Sequence, residues 1–229
     1  MFFDTHTKTR EWGSNKSHLI GEQMKKKKVL IGCEFSGRIR DAFEKQGCEA
    51  VSCDLLPSDK PGKHYQGDIF DVIDYPWDIV ILHPPCTDTS VSGAKHFEEK
   101  KQDGRQYRSV AFFMKLVRRT NHIPCVVIEH PISIMSSLYK KPTQIIQPWM
   151  FGHGETKATC LWLKGLPKLE PSNIVEGREA RIHRLPPSKD RWKERSTTFP
   201  GIAKAMAEQW GSKYMDNKGE NNEITTRIL

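Results

Sequence analysis

The chain has 229 residues, of which 36 are Lys or Arg and 28 are Asp or Glu, so its formal net charge at pH 7 is +8. This length suits one substantial domain with a core of its own, and no apolar run approaches the roughly 18 residues of a membrane span. The basic balance favours a polyanionic partner, nucleic acid first, because Lys and Arg contacts to phosphates release counterions.

The N-terminal region, residues 1–24, is polar and without clear period, and we expect a flexible tail there. It lacks a basic region followed by an apolar stretch, so it does not read as a secretory signal and predicts a protein of the cytoplasm, in a prokaryote or a virus-infected host cell. The six cysteines of the chain form no Cys-x-x-Cys pair. Their scatter favours reduced thiols, and no metal site is predicted.

Further along the chain, apolar and amphipathic segments alternate. The amphipathic stretches 38–46, 107–120 and 201–211 predict helices. Strands are predicted at 29–33, 50–53, 78–82, 125–129 and 158–163, with a short third element at 67–70. This alternation predicts an α/β fold, a doubly wound Rossmann-like sheet that is mostly parallel.

The stretch 82–90, Leu-His-Pro-Pro-Cys-Thr-Asp-Thr-Ser, follows the fourth predicted strand directly. The two prolines fix φ and remove two backbone donors, so the chain must leave the strand as a stiff loop. Cys86 then lies at the carboxyl edge of the sheet, where such folds bind ligands. It is our candidate nucleophile; the alternative is a small, buried apolar residue.

Carboxylates follow other predicted strands in the same way. Asp54 is placed to accept hydrogen bonds from ribose hydroxyls and Asp68 to meet an adenine edge; the alternatives are a turn residue and a helix cap. Glu129 closes an apolar strand, and its alternative is a solvent-facing strand end. The turn at 34–37 has one glycine, which argues against a Walker loop or a standard dinucleotide motif.

Together these motifs resemble the S-adenosylmethionine-dependent DNA cytosine-5 methyltransferases, here in a compact form, over most of residues 28–211. Residues 34–37 look like the cofactor loop, and Pro85 and Cys86 resemble the catalytic Pro-Cys pair. Glu129 is similar to the glutamate of the Glu-Asn-Val motif, and 199–207 to the late segment that completes the cofactor pocket. The resemblance implies that the cofactor is held by Glu34, Phe35, Ser36, Gly37, Asp54, Asp68 and Pro85.

The resemblance also implies a mechanism. A Cys86 thiolate adds to C6 of cytosine and makes C5 nucleophilic enough to take the methyl group, while Glu129 holds N3 and the amino group of the base. In duplex DNA the target must leave the stack, so the partner is single-stranded DNA or a flipped cytosine. The base that removes the C5 proton is not identified. His83 and His130 flank the expected site; each is a candidate for a hydrogen-bonding scaffold, and neither is assigned a catalytic role.

The chain departs from the family in three places. Residues 155–159 correspond to the Gln-x-Arg-x-Arg segment but keep one cation, Lys157. His130 and Pro131 stand where Asn-Val is usual. The large recognition domain is absent, and a basic segment of about 35 residues replaces it. Its substrate-binding candidates are Arg181, Arg184, Arg191 and Trp192; a solvated lid without a ligand is the alternative.

The predicted organisation is therefore a tail at 1–24, a catalytic core at 25–163 and a basic substrate-contact segment at 164–198, followed by a C-terminal helix at 199–213 and a tail at 214–229. Residues 95–105 are either a loop that closes over the substrate or plain surface. The predicted activity is methylation of cytosine C5 in DNA. The alternatives are the same chemistry on RNA or a free pyrimidine nucleotide, or a non-catalytic nucleic-acid-binding protein.

Overall fold

The computed structural model describes residues 26–212 and shows one seven-stranded sheet with helices on both faces. The strands in chain order are β1 Lys28–Gly32, β2 Glu49–Asp54, β3 His64–Gln66, β4 Ile79–Leu82, β5 Cys125–Pro131, β6 Gln144–Ile146 and β7 Thr159–Lys164. In space their order is β3-β2-β1-β4-β5-β7-β6. Strand β7 runs antiparallel to both of its neighbours, and all the other pairs are parallel.

The helices are α1 Arg38–Lys45, α2 Phe97–Gln102, α3 Arg105–Arg119, α4 Met135–Leu138, α5 Arg181–Arg184, α6 Arg191–Ser196 and α7 Pro200–Met206. Short 3₁₀ turns occur at Ile69–Asp71, Val91–His96 and Pro148–Met150, and a π-helical turn at Ala207–Ser212 follows α7. Helix α3 is the longest, with 15 residues.

The core has two layers because successive strand residues point to opposite faces of the sheet. On one face Ile79 and Ile81 pack with Phe43 of α1 and Met206 of α7. On the other face Val80 and its neighbours pack against α3. All four residues of β4 are buried, as expected for a central parallel strand that is covered on both sides.

The doubly wound, mostly parallel sheet that the sequence predicts is confirmed. The third element was placed wrongly. Strand β3 ends at Gln66, and the 3₁₀ turn begins after Asp68, whose carboxylate accepts a hydrogen bond from the amide of Phe70 at 3.0 Å. Strand β6 was not predicted, because only Ile146 of its three residues is buried and no alternating pattern results.

The segment at 164–198 is less irregular than its sequence suggests, since it contains α5 and α6. The predicted helix at 201–211 is α7 continued by the π-helical turn. The expected tails, 1–24 and 214–229, lie outside the described residues. Between residues 26 and 212 no helix is long and apolar enough to cross a membrane. The division into core, basic segment and closing helix stays a prediction.

Candidate active site

Cys86 lies in a tight loop just beyond the carboxyl end of β4. The amide of His83 still donates to the carbonyl of Gly32 in β1 at 2.9 Å, and the two prolines then carry the chain out of the sheet. The carbonyl of Cys86 accepts the amides of Thr89 and Ser90 at 3.2 and 2.9 Å. Cys86 itself is partly exposed.

Both negative and positive charges act on this thiol. Burial and the charge of Glu129 raise the pKa of Cys86, and they outweigh Lys157, a backbone hydrogen bond and Arg195, which act in the opposite direction. The free protein therefore holds Cys86 as a thiol. A ligand that shields Glu129, or draws Lys157 closer, would favour the thiolate.

Glu129 reaches the same place from β5. Leu82 and Ile128 are partners in the parallel β4–β5 pair. The next residues along the two strands, His83 and Glu129, therefore lie side by side. Nδ1 of His83 lies 2.9 Å from Oε2 of Glu129, and these side chains are only 9 % and 18 % exposed. Burial raises the pKa of Glu129, but the hydrogen bond and charge of His83, with Lys157 and His130, bring it below its usual value.

Lys157 precedes β7 and completes this group. Its amide donates to Oε1 of Gln147 at 2.9 Å, which fixes the backbone, and its ammonium lies 5.9 Å from the centre of the Phe199 ring. Burial lowers the pKa of Lys157, and the charges of Glu129 and Cys86 oppose that effect. The structure therefore brings together three residues from the sequence analysis, a thiol, a carboxylate and a cation.

His130 takes the place of the expected asparagine and contacts the Cys86 loop. Its Nε2 lies 3.3 Å from the hydroxyl of Thr89, and its Nδ1 lies 3.2 Å from the carbonyl of Pro131. Burial lowers the pKa of His130. This effect outweighs the backbone hydrogen bonds with Pro131 and Pro85 and the charge of Glu129, all of which raise that pKa. The ring also packs edge-on to Phe113 at 5.8 Å. A neutral His130 thus ties β5 to the loop that carries the nucleophile.

The loop after β1 forms the second half of the candidate site. Glu34 is buried and turns inward, where its carboxylate accepts the hydroxyl of Ser36 and, at 3.2 Å, the amide of Gly37. Gly37 has φ 68°, which an L-residue rarely adopts, and it opens helix α1. Glu34 therefore shapes the turn, and nothing in its contacts marks it as a direct ligand of a cofactor.

Asp54 and Asp68 approach this loop from the ends of β2 and β3. One oxygen of Asp54 accepts the amide of Leu56 at 3.0 Å, and one oxygen of Asp68 accepts that of Phe70. Within residues 26–212 the second oxygen of each carboxylate has no hydrogen-bond partner. Both charges act on Cys33, whose pKa is raised by burial and by Asp54, Cys53 and Asp68. Both carboxylates therefore lie near Cys33.

Pro85 lies on the other side of the same edge. It is exposed and lines a cleft of about 210 Å³ with Phe112 of α3. The Phe112 ring meets Phe70 edge-on at 5.5 Å, so the turn that Asp68 caps reaches the wall of this cleft. A continuous surface thus joins the turn after β3 to the residue before Cys86.

Helix α6 lies over the β1 loop. The Trp192 ring is 5.5 Å from the Phe35 ring, and Nζ of Lys193 lies 3.1 Å from Asp59. The guanidinium of Arg38 donates to the carbonyl of Thr198 at 3.0 Å, which fixes the chain just after α6. Arg195, one turn beyond Trp192, acts electrostatically on both Cys86 and Lys157. A single short helix therefore borders both halves of the site.

The other basic candidates have different surroundings. Arg181 is held by Glu155 at 2.9 Å and Glu194 at 3.6 Å, so it links α5, α6 and the loop before β7. Arg184 is exposed and lines, with Arg181, a cleft of about 480 Å³. Nε of Arg191 is buried and has no hydrogen-bond partner in the described part of the chain. None of these three is among the charges that shift the pKa of Cys86.

Helix α2 belongs to the segment expected to be a closing loop or plain surface. Lys100 is buried, and its ammonium donates to the carbonyl of Thr87 at 2.5 Å and lies 3.4 Å from Asp88. This lysine anchors the loop that carries Cys86. The sequence analysis did not foresee three contacts here: the Lys100 anchor, the His83–Glu129 bond, and the action of Arg195, a residue of the basic segment, on Cys86. For His83, the signal was its position immediately after β4, opposite Glu129.

Among residues 26–212, no group of three or more His, Cys, Asp or Glu side chains is arranged to hold a metal ion. No protein-family model matches the chain, and a search of curated proteins found no match.

The solved structures that are similar to the chain include the following two. The methyltransferase EhMeth of Entamoeba histolytica has 14 % identity and a TM-score of 0.44, over 66 % of this chain and 58 % of that one. A mutant of Spodoptera frugiperda DNMT2 has 13 % identity and a TM-score of 0.37, over 70 % and 56 %. The chain spans less than two thirds of either neighbour's length. Likeness of this degree does not assign an activity.

Proposed function

We propose that the protein is an S-adenosylmethionine-dependent methyltransferase that acts on C5 of cytosine in DNA. The observation that carries this proposal is the grouping of Cys86, Glu129 and Lys157 beyond the ends of β4 and β5. A nucleophile, an acid–base group and a cation at one sheet edge are what covalent activation of a pyrimidine requires. The two oxygens left open by Asp54 and Asp68 lie along the same edge of the sheet.

The residues present fit the proposed cofactor. A nucleoside offers hydroxyl and amino donors, and the open oxygens of Asp54 and Asp68 are acceptors. Pro85 adds exposed apolar surface further along the same edge of the sheet. When bound, S-adenosylmethionine would supply an electrophilic methyl group.

The protein's own residues act on the target ring. Sγ of Cys86 forms a bond to C6, the C5=C6 pair moves to C4–C5 and the C4=N3 pair moves to N3, which takes a proton that reaches it through the carboxyl group of Glu129. Lys157 stabilises the negative charge of the thiolate and of the ring oxygen. Loss of the C5 proton and release of Cys86 then restore the aromatic ring.

DNA is the proposed substrate because the chain is basic and because α6 offers Trp192 and Arg195 beside the site. Half-exposed Trp192 can stack on a base, and Arg195 can contact a phosphate. The absence of a large recognition domain in the sequence indicates limited specificity, or specificity that a partner supplies. We propose further that the protein is soluble and cytoplasmic and that it acts on exposed cytosines.

The test incubates the purified protein with labelled S-adenosylmethionine and, separately, duplex DNA, single-stranded DNA, RNA and dCMP. Nucleoside mass spectrometry identifies the product. We expect 5-methylcytosine in DNA, complete loss in Cys86→Ala, and near-wild-type transfer in Cys48→Ala, which removes a buried thiol away from the site.

Transfer to RNA or dCMP alone would keep the chemistry and change the substrate. Transfer to an amino group that survives Cys86→Ala would overturn the covalent mechanism. Salt-dependent DNA binding with no transfer to any substrate would favour a non-catalytic binding protein.

A further inference from the structure

His83 is bound to the carboxylate that the proposed chemistry uses. Its Nδ1 lies 2.9 Å from Oε2 of Glu129, and both groups are largely withdrawn from water. The bond follows from the strand register, which places these residues side by side just beyond the Leu82–Ile128 pair. Among the described residues no other side chain makes a hydrogen bond to Glu129.

The second ring nitrogen of His83 has an unusual position. Nε2 is buried and has no hydrogen-bond partner within residues 26–212. Buried polar atoms are normally paired, so an unpaired one beside a candidate nucleophile points to a ligand atom that completes it. A histidine nitrogen that carries a proton is a hydrogen-bond donor, so an acceptor atom of a ligand could pair with Nε2 while Nδ1 donates to Glu129.

The proposed reaction sets a requirement that Glu129 alone does not meet. When Cys86 adds to C6, N3 of cytosine gains an electron pair and must take a proton. The surroundings of Glu129 hold its pKa below the usual value, so at neutral pH it is an anion without a proton to give. A proton donor must therefore stand behind the carboxylate.

We propose that His83 is a positioning residue that holds this proton and supplies it through Glu129 to N3 of the target cytosine. The inference rests on the proposed function. In the step, the Cys86 Sγ–C6 bond forms, the C5=C6 pair moves to C4–C5 and the C4=N3 pair moves to N3. The Nδ1 proton of His83 moves to Oε2 of Glu129, and the carboxyl group so formed gives one proton to N3. Elimination reverses these transfers.

Several charged groups bear on this pair. Lys157 before β7 and His130 in β5 act on Glu129, and Glu129 acts in turn on Cys86 in the β4 loop. Arg195 in α6 acts on Cys86 and Lys157.

The test compares pH profiles of wild-type protein and His83→Asn. The asparagine amide replaces the Nδ1 donor, so it keeps the hydrogen bond to Glu129 but does not titrate. We expect kcat for methyl transfer at pH 8 to fall about 100-fold, with KM within a few fold of wild type. The alkaline limb of the profile should shift to lower pH, because only Glu129 itself then carries the proton. The matched control is His122→Asn, an exposed histidine at the opposite edge of the sheet.

The possible outcomes separate the two proposals. A purely structural His83 predicts wild-type kcat and an unchanged profile in His83→Asn, which would overturn this inference alone. No methyl transfer by the wild-type protein to any of the four substrates would overturn both. If His83→Asn does not fold, ¹⁵N NMR of the wild-type histidines decides. Addition of the active substrate should then raise the protonated fraction of His83, and a ring that stays neutral would overturn the inference.

Discussion

At the level of single residues, the clearest consequence of the structure concerns the reactivity of Cys86. Burial and Glu129 hold the pKa of this thiol above that of a free cysteine, about 8.5. A raised pKa means less thiolate at neutral pH, so alkylation of Cys86 by iodoacetamide should be slow at pH 7 and should accelerate as the pH rises through that pKa. Mass spectrometry of the labelled peptide measures the rate.

The variants Lys157→Met and Glu129→Gln should move this alkylation profile in opposite directions. Removing the Lys157 cation raises the pKa of Cys86 further, and removing the Glu129 charge lowers it. Each shift should approach one pH unit, about a tenfold change in rate at fixed pH. Alkylation profiles that match the wild-type profile in both variants would show that neither charge acts on the thiol.

The sequence predicted where these residues lie, and what binds them stays a prediction. Lys157 precedes β7, which runs antiparallel to β5, so only the family resemblance placed it at this site. Cys86 and Glu129 each follow a parallel strand, and parallel strands bring their carboxyl ends to one edge, so their meeting was foreseeable. The His83–Glu129 bond was not, because it depends on the register of two strands that are 46 residues apart. Arg195 lies in a segment without apolar period, so its sequence gave no position for it.

At the level of elements, the loop that carries Cys86 depends on helix α2. Lys100 is 8 % exposed and binds the carbonyl of Thr87, with Asp88 beside it. Replacing it by methionine removes the donor to the Thr87 carbonyl and leaves the largely buried Asp88 carboxylate without its cation. We expect Lys100→Met to lower the free energy of unfolding by about 2–3 kcal/mol, measured by urea titration.

The adjacent Lys101 is the control for this prediction. Its side chain is exposed, and its ammonium lies 3.9 Å from Glu98, a surface ion pair of the kind that adds little. Lys101→Met should leave the urea midpoint unchanged. Equal effects of the two substitutions would mean that the Lys100 anchor does not support the loop.

The elements that the sequence missed are the short ones. Strand β6 has three residues, α5 has four and α6 has six, so none spans enough turns or alternations to give a periodic pattern. They are held by tertiary contacts: Arg181 with Glu155 and Glu194, and Trp192 with Phe35. Long elements such as α3 carry their own signal, and its predicted and observed bounds nearly coincide.

At the level of the whole molecule, the C-terminal part of the described chain packs against its N-terminal part. Helix α7 packs against α1, and Trp210, in the following turn, is fully buried and donates from Nε1 to the carbonyl of Pro167 at 3.1 Å. The fold of the β1 loop therefore depends on residues more than 150 positions away. Truncation before residue 199 would expose one face of the sheet.

Substitutions at two tryptophans distinguish a residue that stabilises the fold from one that is expected to contact a ligand. Trp210→Ala removes a fully buried ring and its hydrogen bond, and should lower the free energy of unfolding by about 3–5 kcal/mol. Trp192→Ala removes a half-exposed ring over Phe35 and should leave the unfolding midpoint nearly unchanged. Urea titration followed by far-ultraviolet circular dichroism measures both.

Ligand binding should show the reverse order. Because Trp192 covers the β1 loop, Trp192→Ala should weaken binding of S-adenosylmethionine or of DNA about tenfold, as measured by calorimetry at a stated salt concentration. Trp210→Ala, assayed well below its own unfolding midpoint, should retain wild-type affinity for both. A Trp192 variant that binds both ligands normally would remove α6 from the candidate site and leave it only a role in covering the loop.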